Sequence, residues 1–374
     1  MSDEEESSVG SGPVWWTIEP GIARAETLPA EVYADPRWLE RMKDRVFSRT
    51  WHVIGDLDQL ESPGQCLPLT LLPGLLDEPL LLTRGTDGRL NLVSNVCTHR
   101  GAILCEEPAV RDGLRCRYHG RRFDLDGRFL SMPGFEGAEG FPSPKDDLPR
   151  IALGRCGKLI FASLDPAFPF AELVAGMEAR LGWLPVGDAA LDPSLSRDYI
   201  VPAGWALYCD NYLEGFHIPF VHAGLLGALD YGAYRTELFK WASLQVGAAA
   251  ADGAAFDSPP SSPDHGSRVA AFYWWLFPAT MINVYPWGLS VNLIQPLGTD
   301  RTRVAYRTYI WDKALVGRGA GADLDRVERE DEAVVESVQR GVRSRLYRRG
   351  RYSPERETAV HHFHRLLTRL VAQE

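Results

Sequence analysis

Cys97-Thr98-His99-Arg100-Gly101 and Cys116-Arg117-Tyr118-His119-Gly120 are the two stretches on which the reading of this chain turns. Sixteen residues separate His99 from Cys116, and each stretch delivers one thiolate sulfur and one imidazole nitrogen. Zinc also accepts two Cys and two His, but the common finger order groups the cysteines in one element and the histidines in the other. One of each per loop suits a two-iron cluster in which one iron takes both sulfurs and the other both nitrogens. A Gly after each pair lets backbone N–H groups approach bridging sulfides.

Around these loops, from Trp51 to about Leu164, short apolar runs are broken by Pro63-Gly64, Pro73-Gly74, Asp87-Gly88, Asp112-Gly113 and Asp126-Gly127. That pattern predicts a small all-β module. Ahead of it, Asp35-Pro36 followed by Trp38, Leu39, Met42, Val46 and Phe47 predicts a helix of about three turns with Pro in an early position. From Pro166 onward, helical stretches mix with aromatic-rich strands such as Phe272–Phe277, Val291–Ile294 and Val304–Trp311, an α+β pattern. Residues 247–267, rich in Ala, Gly, Ser and Pro, read as a surface insertion more than as a packed element.

A second constellation lies in Asp210-Asn211-Tyr212-Leu213-Glu214-Gly215-Phe216-His217-Ile218-Pro219-Phe220-Val221-His222. His217 and His222 differ by five positions, about 140° apart on a regular helix, so both face one metal only where the helix is distorted or ends. Pro219 lacks an N–H and breaks the ladder between them. Two histidines and a carboxylate leave open positions on Fe(II) for oxygen chemistry. The third ligand is sought at Asp331, a lone acid on a helical stripe of Leu324, Val327, Val334, Val335, Val338 and Val342. A buried carboxylate needs a metal or a cationic partner, and a buried Arg is the other reading of Asp331. Glu328, Glu330 and Glu332 sit off that stripe and are expected to be solvated.

At 374 residues the chain exceeds one ordinary core and two domains are expected. A net charge of -10 argues against a nucleic-acid partner, and no apolar run reaches membrane-spanning length. Met1–Gly12, acidic and Ser-rich, reads as a disordered tail and not as a secretory signal, so a cytoplasmic location is expected. There the cysteines are reduced, and Cys66, Cys105, Cys156 and Cys209 read as buried thiols.

Residues 51–164 resemble the Rieske iron-sulfur family. The remainder resembles the catalytic domain of Rieske oxygenase α subunits, especially the branch of the choline and carnitine monooxygenases. Cys105 has no partner cysteine because Arg117 occupies the matching region of the second loop, which favours the oxygenase and ferredoxin branch over the respiratory one. The resemblance implies an α+β chain in which an all-β Rieske [2Fe-2S] domain (51–165) is inserted into an α+β, START-like helix-grip catalytic domain. That domain is built from an N-terminal helix (31–50) and residues 166–374, after a tail and lead-in (1–30). It implies Cys97, His99, Cys116 and His119 as cluster ligands, and His217, His222 and Asp331 as ligands of a mononuclear Fe(II). Glu214 and Asn211 become catalytic positions. Glu214 either carries electrons between subunits or orients His217, and the family favours the former.

No dinucleotide fingerprint is visible, so electrons are expected from a separate NAD(P)H-dependent reductase, with or without a ferredoxin. A homotrimer is implied. Trp205, Phe272, Trp274, Tyr285 and Trp287 are candidates for an aromatic pocket suited to an arene or to a quaternary ammonium compound, so ring hydroxylation and N-alkyl oxidation both stay open. The contrasting class is a Rieske electron carrier or ligand-binding protein without catalytic iron.

Overall fold

With so many turns, 51–164 has room only for brief strands, and it forms three small antiparallel sheets. His52–Asp56 pairs with Leu159–Ser163, which pairs with Ala152–Cys156, so the first and late strands close the module. A four-stranded sheet runs Leu90–Ser94, Glu78–Arg84, Gln65–Leu71, Ala109–Val110, and a three-stranded one joins Leu114–Arg115, Arg122–Phe123 and Phe129–Ser131. Their side chains enclose a core of Leu81, Val93, Leu104, Leu114, Phe123 and Leu148 that also takes in Cys97 and Cys116. The computed structural model describes residues 16–222, 229–251, 253–322 and 324–373. The expected tail at Met1–Gly12 lies outside these residues, as does position 252 of the insertion.

The second unit is an eight-stranded antiparallel sheet. Leu229–Leu238, Ala242–Ala249, Val269–Leu276, Thr280–Tyr285, Gly288–Pro296 and Thr302–Ile310 follow one another as a meander, and Arg197–Val201 and Ala190–Leu191 pair with the last of them. Thr280–Tyr285 is buried along its whole length, as expected of a central strand packed on both faces.

Seven helices surround the sheet among the described residues: α1 (Ala30–Ala34), α2 (Pro36–Arg45), α3 (Phe170–Leu181), α4 (Trp205–Tyr212), α5 (Ile218–Val221), α6 (Leu324–Val342) and α7 (Thr358–Ala372). The Asp35 side chain caps α2 by accepting the Arg37 N–H at 2.9 Å. Val32, Tyr33, Trp38 and Met42 of α1 and α2 share one core with Phe363, Leu366 and Leu370 of α7, so the two ends of the chain pack together. No described helix is long and apolar enough to cross a membrane. All six cysteines are free and buried.

Two expectations are corrected. The segment 247–267 is not a loose surface insertion. Its first residues complete a strand, and its fully buried Asp264 has Arg180 Nε at 2.9 Å and a second cation in Arg235. A carboxylate that deep is stable only when paired, so this ion cluster fastens the loop to α3 and the sheet.

On α6 the buried stripe is rotated by about one position from the expected one. Val335, Gln339 and Val342 are buried, whereas Val338 is 42% exposed. Gln339 sets the rotation, because its Oε1 accepts the Gly204 N–H at 2.7 Å where α4 begins. Glu328 thereby turns inward.

Candidate metal centres

The two Cys-His loops are copies of one tight turn. In the first, Gly101 N–H donates to Cys97 O at 3.0 Å and Cys97 N–H to Ala102 O at 2.8 Å. In the second, Gly120 N–H donates to Cys116 O at 3.0 Å and Cys116 N–H to Arg121 O at 2.8 Å. Gly101 and Gly120 have φ of 75° and 74°, in the left-handed region where a Cβ is strained; Gly101 faces open space and a Cβ at Gly120 would meet only ordinary contacts, so backbone conformation is what requires glycine.

The turns bring the His99 and His119 rings to 4.8 Å between centroids. Burial raises the Cys97 thiol, outweighing the lowering effect of the His99 N–H, and its bond to Cys116 adds to the rise. Burial and then the charges of His119 and Arg121 lower the His99 pKa, keeping it neutral and ligand-competent. His119 Nδ1 is buried without a hydrogen-bond partner. Paired buried sulfurs beside paired imidazoles, one with an orphaned nitrogen, fit a [2Fe-2S] cluster.

A group the sequence reading missed joins the loops. Arg121 is 2% exposed, bonds Asp146 Oδ1 at 2.6 Å and lies over the rings of Phe123, Phe129 and Phe141. Asp146 O accepts from Thr98 Oγ1 of the first loop at 2.8 Å and from Arg121, just past the second, at 3.0 Å. One carbonyl thus ties both turns.

The second centre grows from α4 and α5. The α4 helix ends at Tyr212, and after a short turn α5 makes only one turn, with His217 and His222 flanking it as its caps. Pro219 sits in its first turn, where a missing N–H costs nothing. The histidines therefore leave the ends of a single turn, and their rings approach to 5.1 Å. A buried network holds α4 in place: Asp210 accepts from Tyr33 at 2.7 Å and contacts His364 Nε2 at 2.8 Å, while Tyr352 OH meets His364 Nδ1 at 2.6 Å.

Asp331 arrives from α6. Its Oδ1 is 3.0 Å from His222 Nε2 and 3.4 Å from His217 Nε2, and the three groups offer ligand atoms within 4.8 Å of one another. Each imidazole turns its other nitrogen to a glutamate, His217 Nδ1 to Glu214 at 2.6 Å and His222 Nδ1 to Glu330 at 2.8 Å. A proton on each Nδ1 leaves the Nε2 lone pairs converging on a carboxylate oxygen, an array that demands a cation. Burial opposes charge on His222, but its bond to Asp331 and then Glu330 outweigh burial and raise its pKa. The donor set fits Fe(II).

The expectation that Glu328, Glu330 and Glu332 are solvated is thereby corrected. Glu330 holds His222 and is itself held by Arg326 at 2.9 Å. Glu328 Oε2 accepts from Tyr208 at 2.8 Å and from Tyr306. Burial, and secondly the Asp331 charge, push its carboxyl up to about 7. Glu332 is half-buried, with an unpartnered Oε1.

The pocket at this centre is lined by Asn211, Glu214, Glu328 and the metal-facing trio, and by Tyr208, Tyr212, Tyr234, Tyr273 and Tyr285. Burial holds all five phenols above their ordinary pKa, so they remain protonated. Of the aromatics proposed from sequence, Tyr285 lines this pocket and Trp205, Phe272 and Trp274 lie in the core. Tyr208 and Tyr212, four apart on α4, carried the only local signal for the rest.

Comparison with known proteins agrees with this geometry. The family described as "Ring hydroxylating alpha subunit (catalytic domain)" matches residues 182–373, and "Rieske [2Fe-2S] domain" matches 50–142. The chain is 31% identical to the chloroplastic choline monooxygenase of Arabidopsis thaliana over 366 residues, 92% of this chain and 83% of that protein. It is 28% identical to the carnitine monooxygenase oxygenase subunit of Escherichia coli K12, over 92% of this chain and 94% of that one. In fold it is similar to a quaternary ammonium Rieske monooxygenase, with TM-score 0.75, 24% identity and coverage of 96% of this chain and 100% of that one. It is also similar to naphthalene 1,2-dioxygenase, with TM-score 0.68, 16% identity and coverage of 93% and 92%. Two hairpin turns built for a two-iron cluster, and a facial set of two histidines and an aspartate, thus recur where the matched families span the chain, which belongs to the Rieske-type ring-hydroxylating oxygenase α subunits, in the branch of the choline and carnitine monooxygenases.

Proposed function

We propose that the protein hydroxylates a carbon of a quaternary ammonium compound, with or without loss of an N-alkyl group, consuming O2, two protons and two electrons from a separate NAD(P)H-dependent reductase, and releasing water. One observation carries the choice of substrate. Beyond the three metal-facing residues, the described wall of the metal pocket holds five tyrosines and the carboxylates of Glu214 and Glu328, with no Lys or Arg. Electron-rich ring faces and negative charge attract a methylated ammonium, whereas an arene gains nothing from the carboxylates.

In this reading Cys97 and Cys116 hold one iron of the [2Fe-2S] cluster and His99 and His119 the other, while His217, His222 and Asp331 hold Fe(II). When bound, these centres supply electron storage and oxygen activation. Glu214 and Glu330 keep the proton on each Nδ1 and the lone pair on each Nε2, so the ligands are oriented in advance. The tyrosines hold the ammonium and exclude water. Glu214, with Asn211 beside it on the pocket wall, carries electrons from the cluster of a neighbouring subunit in a ring of three. Exposed Phe216 and Phe220 next to Glu214, and Tyr118 beside His119, support this as apolar surfaces that an interface would cover.

The Rieske domain is taken as 51–165, inserted between the 31–50 helix and residues 166–374. The packing of α7 along the first strand of the meander supports a START-like helix-grip arrangement. A cytoplasmic setting suits six cysteines that form no disulfide.

Reductase-coupled oxygen uptake with choline, carnitine and benzoate tests the reading. Uptake with formaldehyde or aldehyde release from an ammonium compound supports it, and uptake with benzoate alone overturns it. Metal content separates the oxygenase, about three irons per chain, from a carrier holding about two.

A further inference from the structure

A second cavity, of about 300 Å³, lies beside the metal pocket. Its floor includes the buried Trp287, Ser290 and Tyr306, and its rim the exposed Arg197, Ala322 and Asp325, so it opens to solvent. A single side chain among the described residues lining the two spaces reaches both. Glu328 belongs to both walls. Tyr285 faces the metal pocket and Trp287 the outer cavity, with their rings stacked at 5.1 Å and 13°. Tyr208 lines the inner space and Tyr306 the outer one, and both hydroxyls donate to the same Glu328 oxygen. The indole N–H of Trp287 is buried and has no partner. A buried donor left unpaired beside a solvent-open cavity calls for an acceptor, which the hydroxyl of choline or the carboxylate of carnitine supplies alongside the ammonium.

We infer that the outer cavity is an antechamber that binds the cationic substrate before it reaches the metal pocket, and that Glu328 is the gate group between the two. The inference rests on the ammonium reading above. Opening the partition strips Glu328 of its two tyrosine donors, and a buried carboxylate without donors is costly. An arriving cation replaces the lost hydrogen bonds with its own charge as it passes. A neutral molecule of the same shape does not, so the partition selects for charge before any chemistry begins. Trp287 and Tyr306 supply ring faces that hold the ammonium on the outer side.

The test uses the loaded full-length protein with choline and its uncharged isostere 3,3-dimethyl-1-butanol as probes. Occupancy is read from the electron paramagnetic resonance of the nitric oxide adduct at the mononuclear site, and association rate from stopped-flow tryptophan fluorescence. Ala322→Trp, at the exposed rim, is expected to slow choline association about tenfold or more while leaving equilibrium affinity within about twofold. Leu195→Trp, also exposed on that rim, is the second obstruction and should act alike. Glu328→Gln is expected to erase most of the preference for choline over the isostere. Unchanged association in both rim variants overturns the antechamber while leaving the ammonium reading intact. Failure of choline to perturb the wild-type resonance overturns the ammonium reading, and the inference falls with it.

Discussion

The two metal centres are built on opposite plans. The cluster loops are two copies of one backbone turn, close in sequence and joined by short strands, with each loop shaped by its own glycine and its own pair of backbone hydrogen bonds. The mononuclear centre has almost no local template. Its histidines cap one helical turn, its aspartate comes from 109 residues later, and its orientation depends on Glu214, Glu330 and a buried anchor at His364. A locally encoded site is legible and tolerant of distant change, whereas one assembled from remote helices is sensitive to every contact that sets their angle.

The strongest way to break the contrast is to remove its most remote member. Asp331→Ala is expected to abolish oxygen-dependent turnover and mononuclear iron while leaving the cluster's visible spectrum intact; loss of both signals together would mean that the centres are not independent. Arg121→Met strikes a long-range contact of the cluster loops. Leaving Asp146 without its buried cation is expected to cost about 3–5 kcal/mol and to bleach the cluster, read by urea denaturation and visible absorption.

Acid provides a third probe, at the seam between the two units. His52 is buried, its Nε2 is 2.7 Å from Phe47 O, and burial pushes its pKa down to about 4. The folded state therefore binds this proton less readily than the unfolded chain. Stability is full above the ordinary histidine pKa and is lost as pH falls toward 4, by about 3 kcal/mol in the limit. Urea midpoints at pH 7 and 4.5 should drop more for the native protein than for His52→Gln, and equal drops would refute the assignment.

A smaller effect is expected from Glu330→Ala. Releasing His222 Nδ1 should weaken Fe(II) binding about 10–100-fold in competition titrations without changing the cluster. The smallest concerns the rotation of α6: Val338→Ala should shift stability by less than about 0.5 kcal/mol and Val335→Ala by about 2 kcal/mol. The reverse order would restore the stripe expected from sequence.

That pair of valines illustrates what the sequence conveys and what it withholds. The cluster loops, the strand-rich module around them, the helix at Pro36 and the convergence of His217, His222 and Asp331 follow from spacing and residue chemistry. Asp331 was legible because a lone acid on an apolar stripe needs a partner wherever the stripe points. Glu328 was not, since a glutamate among charged neighbours looks solvated until Tyr208 and Tyr306, supplied by another helix and a strand, are brought to it. Arg121 was hidden in the same way. Next to Arg122 it reads as surface charge, and only the three-dimensional meeting of Asp146 with three phenylalanines buries it. The anchor on Asp264 was hidden inside a stretch whose composition suggests looseness. In each case a charged side chain is internal because its partner comes from a distant segment, which periodicity cannot register.

The separation of Asp331 from the cluster loops also has a meaning in time. It is translated more than two hundred residues after His119. At ribosomal speeds of about 5–20 residues per second, the nascent loops are complete on the order of ten to forty seconds before the oxygen-reacting site can exist. The two centres thus become complete in a fixed order, the one encoded in adjacent turns first and the one assembled from remote helices last.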